Sequence, residues 1–323
     1  MNLGPGKEFD RIRAIWETIQ QYPSSERAEL GDDCALVPVG SSYLAISIDA
    51  SHENVHFRTD WLDFKEIGFR AAGAALSDIA AEGAVPFGLM VSLGIPANHT
   101  TQGKPDPAVD IMTGVATMAN NLDVAVLGGD LTNSDRYSID VCVLGSAERP
   151  VRRSGAREGD FVWVTGYLGG AALALRNFAE GKQMSTTLRN RYACPEPRIQ
   201  AGRWLASHGA TAMIDISDGL AADAQHLAAA SEVGIEINLE HIPCWEGVDA
   251  LAAAGSGEEF ELLLTLPPTF GNASVSSFRA ETGIELTRIG TCLRGGGGRR
   301  GGVRLLDHDT PVPLPPGYDH FAQ

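Results

Sequence analysis

From Ile67 to Leu76 the chain reads Ile-Gly-Phe-Arg-Ala-Ala-Gly-Ala-Ala-Leu. So few bulky side chains predict a helix against which another backbone can pack closely, as in a tightly buried element. The run continues through Ser77, Asp78, Ile79, Ala80, Ala81 and Glu82, then stops at Gly83 and Pro86. Asp78 is the anomaly. A carboxylate in such surroundings is costly unless it is hydrogen-bonded, ion-paired or bound to metal. Helix-end hydrogen bonding explains it as well as a metal does, and this stretch alone leaves both open.

A chain of 323 residues with 44% hydrophobic content buries a large core and predicts two domains. The Pro-, Arg- and Gly-containing stretch Ala147–Gly155 suggests a boundary giving domains 1–149 and 150–323. Lys plus Arg against Asp plus Glu is 25 − 41 = −16, which argues against a binder of nucleic-acid backbones. If so acidic a chain handles phosphates, it needs cations between like charges, and carboxylates that hold magnesium supply them. Five cysteines stand singly with no Cys-x-x-Cys pair, so neither a disulfide framework nor a zinc site is expected. The N-terminus carries no signal-like segment and no apolar run reaches membrane length, so a soluble cytoplasmic protein without a membrane partner is expected.

In chain order, Phe9–Gln20 has helical apolar spacing, and Gly31-Asp32-Asp33 is turn chemistry before an apolar run. Tyr43–Ile48, with Ser47 inside it, reads as a buried strand ending at Asp49, followed by a polar loop Ala50–Phe57 that contains His56. Phe87–Ile95 predicts a strand, Ala108–Asn121 a helix, and Asp123–Leu127 a short strand entering a turn at Gly128-Gly129-Asp130, where a polyphosphate can approach the backbone. Tyr137–Ser146 predicts a closing strand, and the arginines of the boundary stretch, Arg149, Arg152 and Arg153, can touch phosphate. No Gly-Lys pair is followed by Ser or Thr, so a Walker-type nucleotide site is absent.

The second half brings a strand to a helix through Asp215-Ile216-Ser217-Asp218, an echo of Ser77-Asp78, and capping the helix Leu220–Ser231 accounts for only one of these side chains. Glu258, Glu259 and Glu261 precede a strand at Phe260–Leu266; exposed loop acids and site acids are both open there. Gly295–Gly302 is low-complexity and expected to be a mobile loop, and the tail ends in Tyr318, His320 and Phe321. The expected class is α+β.

Taken together and in order, Gly31-Asp32-Asp33-Cys34-Ala35, Ser47-Ile48-Asp49, His56-Phe57, Ser77-Asp78, Gly128-Gly129-Asp130, Arg153-Ser154-Gly155 and Asp215–Gly219 form a series. This series resembles the thiamine-monophosphate kinase family, of the superfamily that includes aminoimidazole ribonucleotide synthase. The resemblance implies that superfamily's two-domain fold and a homodimer whose N-terminal sheets pair. It also implies ATP-dependent phosphorylation of thiamine monophosphate with several Mg2+ ions. By the same resemblance Asp33, Ser47, the backbone at Ile48, Asp49, Asp78, Asp130, Asp215 and Asp218 match metal ligands, of which Asp33, Asp78, Asp130 and Asp215 are the catalytic candidates. Gly129, Asp130, Arg153 and Ser217 match ATP contacts, and His56, Glu258 and Tyr318 match positions facing thiamine monophosphate. The chain departs from the family at Ile48 (usually Thr), at Glu82 (usually Met) and across Ser256–Glu261 (usually Gly-Gly-Glu-Asp-Tyr-Glu). Another enzyme of the superfamily with a different acceptor, and a non-catalytic metal or nucleotide binder, remain open alternatives.

Overall fold

A computed structural model describes residues 3–22, 30–97, 106–295 and 302–321. The low-complexity loop Gly295–Gly302 therefore falls largely outside the described residues, as do the last two residues of the tail. After α1 (Lys7–Ile19), in which no residue is fully buried, come β1 (Ala35–Val39), β2 (Ser42–His52), α2 (Phe64–Ala81), β3 (Val85–Pro96), α3 (Pro107–Asn121), β4 (Ala125–Ser134) and β5 (Ser138–Ala147). The strands form a sheet in the order β1-β2-β5-β3-β4, antiparallel except for β3 and β4, which run parallel on either side of the α3 crossover.

The N-terminus of α2 is set by a capping box: Asp63 accepts the Glu66 N–H at 2.9 Å, and the Asp63 N–H reaches the Glu66 carboxylate at 3.0 Å. Beyond it the helix is close-packed, as its composition predicts. A Cβ at Gly68 would stand 1.9 Å from the Ile111 carbonyl oxygen, and one at Gly114 1.9 Å from that of Lys65, so α2 and α3 cross backbone against backbone. Under these helices lie Leu89, Val91 and Leu93 of β3 and Ile139, Val141 and Val143 of β5, at the alternation a half-covered sheet requires. The opposite face is bare: Ile48 and Met90, both exposed, flank Cys142 across three adjacent strands.

The second half begins with β6 (Phe161–Thr165), α4 (Gly170–Ala179), α5 (Thr186–Ala193), α6 (Ile199–Ser207), β7 (Ala212–Asp215), α7 (Leu220–Ser231) and β8 (Gly234–Asn238). It continues with α8 (Ala250–Ala254), β9 (Leu262–Leu266), α9 (Asn272–Thr282), β10 (Leu286–Leu293), β11 (Val303–Asp307) and β12 (Thr310–Val312). Its sheet has the order β12-β11-β8-β10-β6-β9-β7 and is covered on both faces. Leu262, Leu264 and Leu266 of β9 belong to a core that runs on into α2 and the first sheet, whereas Leu263 faces a second core with Ile214, Leu220 and Leu227. The two-domain α+β class expected from the sequence is what forms, with α2 packed on β2, β5 and α3 on one side and on α6 and β7 on the other.

Two expectations are corrected. β2 does not stop at Asp49 but runs to His52, because β5 supplies partners as far as Ser138. Gly128-Gly129-Asp130 is no turn: it lies inside β4, and a Cβ at Gly129 would stand 1.8 Å from the Val91 carbonyl oxygen. The glycine there serves close strand approach. Among the described residues no helix is long and apolar enough to cross a membrane, and all five cysteines are unpaired.

Candidate active site

The bend before β1, the last turn of α2 and the C-terminal end of β7 converge. One carboxylate oxygen each from Asp33, Asp78 and Asp215 lies within 4.8 Å of the others, so both halves of the chain contribute to a single cluster. Each acid is held by a neighbour. Ser77 Oγ donates to Asp215 Oδ2 at 2.6 Å, and Ser47 Oγ donates to Asp78 Oδ2. Half-buried Arg153 forks onto Asp33, Nη2 to Oδ1 at 2.6 Å and Nε to Oδ2 at 3.2 Å, while its N–H bonds Asp32 Oδ1 at 3.0 Å. Ser47 and Asp49, two apart on β2, share the face toward α2, and Ile48 between them turns its side chain outward.

So many acids in one place repel. Burial first, then Asp33, pushes Asp215 up to about 7; burial and then Asp215 hold Asp78 well above the usual carboxylate range. Asp49 is pushed up to about 6 by burial and then by Glu258, and Asp32 to about 6 by burial and then by Asp33. Glu82, which one helical turn separates from Asp78, is raised well above its usual value by burial and then by Asp32 and Asp33. All-oxygen donors with this excess of negative charge suit a hard divalent cation such as Mg2+.

Beside the cluster opens a cavity of ≈ 780 Å³ whose lining includes Asp49, His56, Ser217, Asp218, Glu258 and Tyr318. His56 Nδ1 accepts the His52 N–H at 3.0 Å, so a neutral ring carries its proton on Nε2. Burial, then the nearby His320, lowers it to about 4 and keeps it neutral. Arg70, in the small-residue run of α2, is buried, pairs with Glu258 and donates to the Tyr192 carbonyl at 2.7 Å. Asp218 is pushed up to about 7 by burial and then by Glu8. The tail is tied down: the Tyr318 N–H bonds the Asp218 carbonyl at 3.0 Å, the Lys7 N–H bonds Asp319 at 2.8 Å, and Arg11 lies 4.0 Å over the Phe321 ring.

Ser217 and Asp218 do not cap α7; Gly219 is its N-cap, and the Gly219 N–H goes to Asp223 at 3.0 Å. Of the three acids near β9 only Glu258 faces the cavity. Glu259 is buried against Arg191 and the Gly169 N–H, and Glu261 against Arg198, so these two are structural ion pairs rather than exposed loop acids. Gly129 and Asp130 stand apart. Asp130 pairs with Ser92, Ser92 with Asp140, and Asp140 with Ala50, which puts Asp130 on the bare face, three strand spacings or about 14 Å from β2. Arg70, Glu8 and Trp61 also line the cavity and escape the sequence reading, although an arginine in so small and apolar a helix is a signal of the same kind as Asp78.

Residues 31–147 match the N-terminal domain of the AIR synthase related protein family, and residues 157–301 match its C-terminal domain. A thiamine-monophosphate kinase of Rhodopirellula baltica is 32% identical over 81% of this chain and 82% of its own. That of Aquifex aeolicus is 30% identical over 99% of this chain and all of its own. Among solved structures, AaThiL complexed with AMPPCP and TMP superimposes with a TM-score of 0.83 at 30% identity, over 98% of this chain and 97% of the other. With both domains matched in order and full-length relatives at this level of identity, the chain belongs to the thiamine-monophosphate kinase family of AIR synthase related enzymes.

Proposed function

We propose that this enzyme transfers the γ-phosphoryl group of ATP to the phosphate of thiamine monophosphate, releasing ADP and thiamine diphosphate. The observation that carries the proposal is the single cavity in which Asp49, Ser217 and Asp218 stand beside His56, Glu258 and Tyr318, next to the Asp33–Asp78–Asp215 cluster. The relatives' activity and the ligands of AaThiL support the substrate pair.

In the reaction the bond from the γ-phosphorus to the β,γ-bridging oxygen breaks, and a terminal phosphate oxygen of the acceptor forms the new bond in line with it. A phosphate monoester is already ionised at neutral pH, so no side chain has to remove a proton, and none in the cavity is placed as a nucleophile. Several Mg2+ ions, held by Asp33, Asp49, Asp78, Asp215 and Asp218 with Ser47 assisting, would supply charge neutralisation for the polyphosphates. His56 offers Nε2–H to the acceptor phosphate, and Tyr318 and Glu258 suit a cationic thiazolium, the ring face of one and the carboxylate of the other. Arg153 and Ser217 serve ATP.

Gly129 and Asp130 join the nucleotide site in a homodimer, which the bare face carrying Ile48, Met90 and Asp130 supports. We set the domain boundary at 149/150, inside the interval between the two matched ranges. Five unpaired cysteines suit a reducing cytoplasm. ADP release measured with thiamine monophosphate and, separately, with aminoimidazole precursors tests the reaction: turnover only with the former is expected, and turnover only with the latter overturns it. Removing Gly317–Gln323 should raise the KM for thiamine monophosphate about tenfold or more while leaving that for ATP near normal; an equal rise in both would remove the tail from the acceptor site.

A further inference from the structure

Glu82 is fully buried at the C-terminal end of α2. Its Oε1 accepts the Cys34 N–H at 3.3 Å, and its Oε2 is enclosed without a hydrogen-bond partner. Among the described residues no Lys, Arg or His pairs with it, because the side chain of the nearby Arg153 is committed to Asp33. A carboxylate oxygen from each of Asp32, Asp33 and Glu82 lies within 4.8 Å of the other two. Oxygens around one hard cation stand no farther apart than twice the metal–oxygen distance, roughly 4.1 Å for Mg2+ and up to about 5 Å for Ca2+. That bound admits a shared divalent ion, and Glu82 brings to it an enclosed oxygen that no other described residue satisfies.

We propose that Asp32, Asp33 and Glu82 form a divalent-cation site of their own, adjoining the Asp33–Asp78–Asp215 cluster through Asp33 and filled without nucleotide. The site fastens the bend before β1 to the end of α2 and so fixes the carboxylate onto which Arg153 forks. The inference does not depend on which acceptor is phosphorylated.

The test is Mn2+ binding to the nucleotide-free full chain, read as free Mn2+ by electron paramagnetic resonance, with melting temperature followed in parallel. Glu82→Gln, Glu82→Met and Asp32→Asn are each expected to lose one Mn2+ per chain, or to weaken one site by at least about tenfold, and to show a smaller Mn2+-induced rise in Tm than the parent. Should the Glu82 variants fail to fold, Asp32→Asn decides. Unchanged stoichiometry and affinity in the variants that fold would overturn the site and leave Glu82 as a neutral buried acid.

Discussion

Asp215 and Asp218 take up protons in the folded chain at about 7, against a usual 3.8, and burial holds Asp78 well above the usual value too. A folded state that holds protons more tightly than the unfolded one draws stability from them below the unfolded value and loses it as the pH rises through the folded value. Two histidines act oppositely: His56, lowered to about 4, and His226, lowered to about 3, add stability as the pH climbs toward their usual 6.5 and contribute no slope beyond it. Above pH 6.5 the carboxylates alone set the trend. The metal-free protein is therefore expected to lose roughly 2–6 °C of Tm between pH 6.5 and 8, and Mg2+ should restore it at pH 8. A melting temperature that stays flat across that window without metal would mean the acids ionise alike in both states.

At the scale of elements, α2 is the part most exposed to a small change. Gly68→Ala sets a methyl 1.9 Å from the Ile111 carbonyl oxygen, so α2 and α3 have to move apart. A loss of about 1–3 kcal/mol in urea unfolding is expected, and unchanged stability would show that the crossing yields freely. This helix was legible beforehand because its small residues and the stop at Gly83 and Pro86 are local signals, whereas its capping box emerged only in the structure. β4 was not: Gly128-Gly129 reads as a turn by itself, and only the parallel edge offered by β3 makes it strand. The same holds for the second half of β2, whose polar sequence pairs because β5 is there. Asp33, Asp78 and Asp215 could be singled out as acids at element ends, but their meeting depends on packing between residues more than a hundred positions apart. Glu259 and Glu261 look like Glu258 in sequence; Arg191 and Arg198, far away in the chain, decide that they are structural.

For the whole molecule, the bare face of the first sheet sets the expectation. Ile48 and Met90 are 72% and 40% exposed on neighbouring positions around Cys142, an apolar patch that a lone chain leaves in water. The homodimer proposed above predicts that Met90→Glu sediments as a monomer in sedimentation velocity where the parent sediments as a dimer. A variant that sediments like the parent would remove this face from the proposed contact.

The contact between α2 and β7 also bears on how the chain is made. Ser77 and Asp78 leave the ribosome well before Asp215, so the first domain can complete its sheet while the end of α2 still lacks its cover. A nascent chain at that stage holds two of the three clustered carboxylates, Asp33 and Asp78, with Asp78 and Glu82 breaking an otherwise apolar helix end that would invite aggregation. The Asp33–Asp78–Asp215 cluster is thus complete only after synthesis of β7.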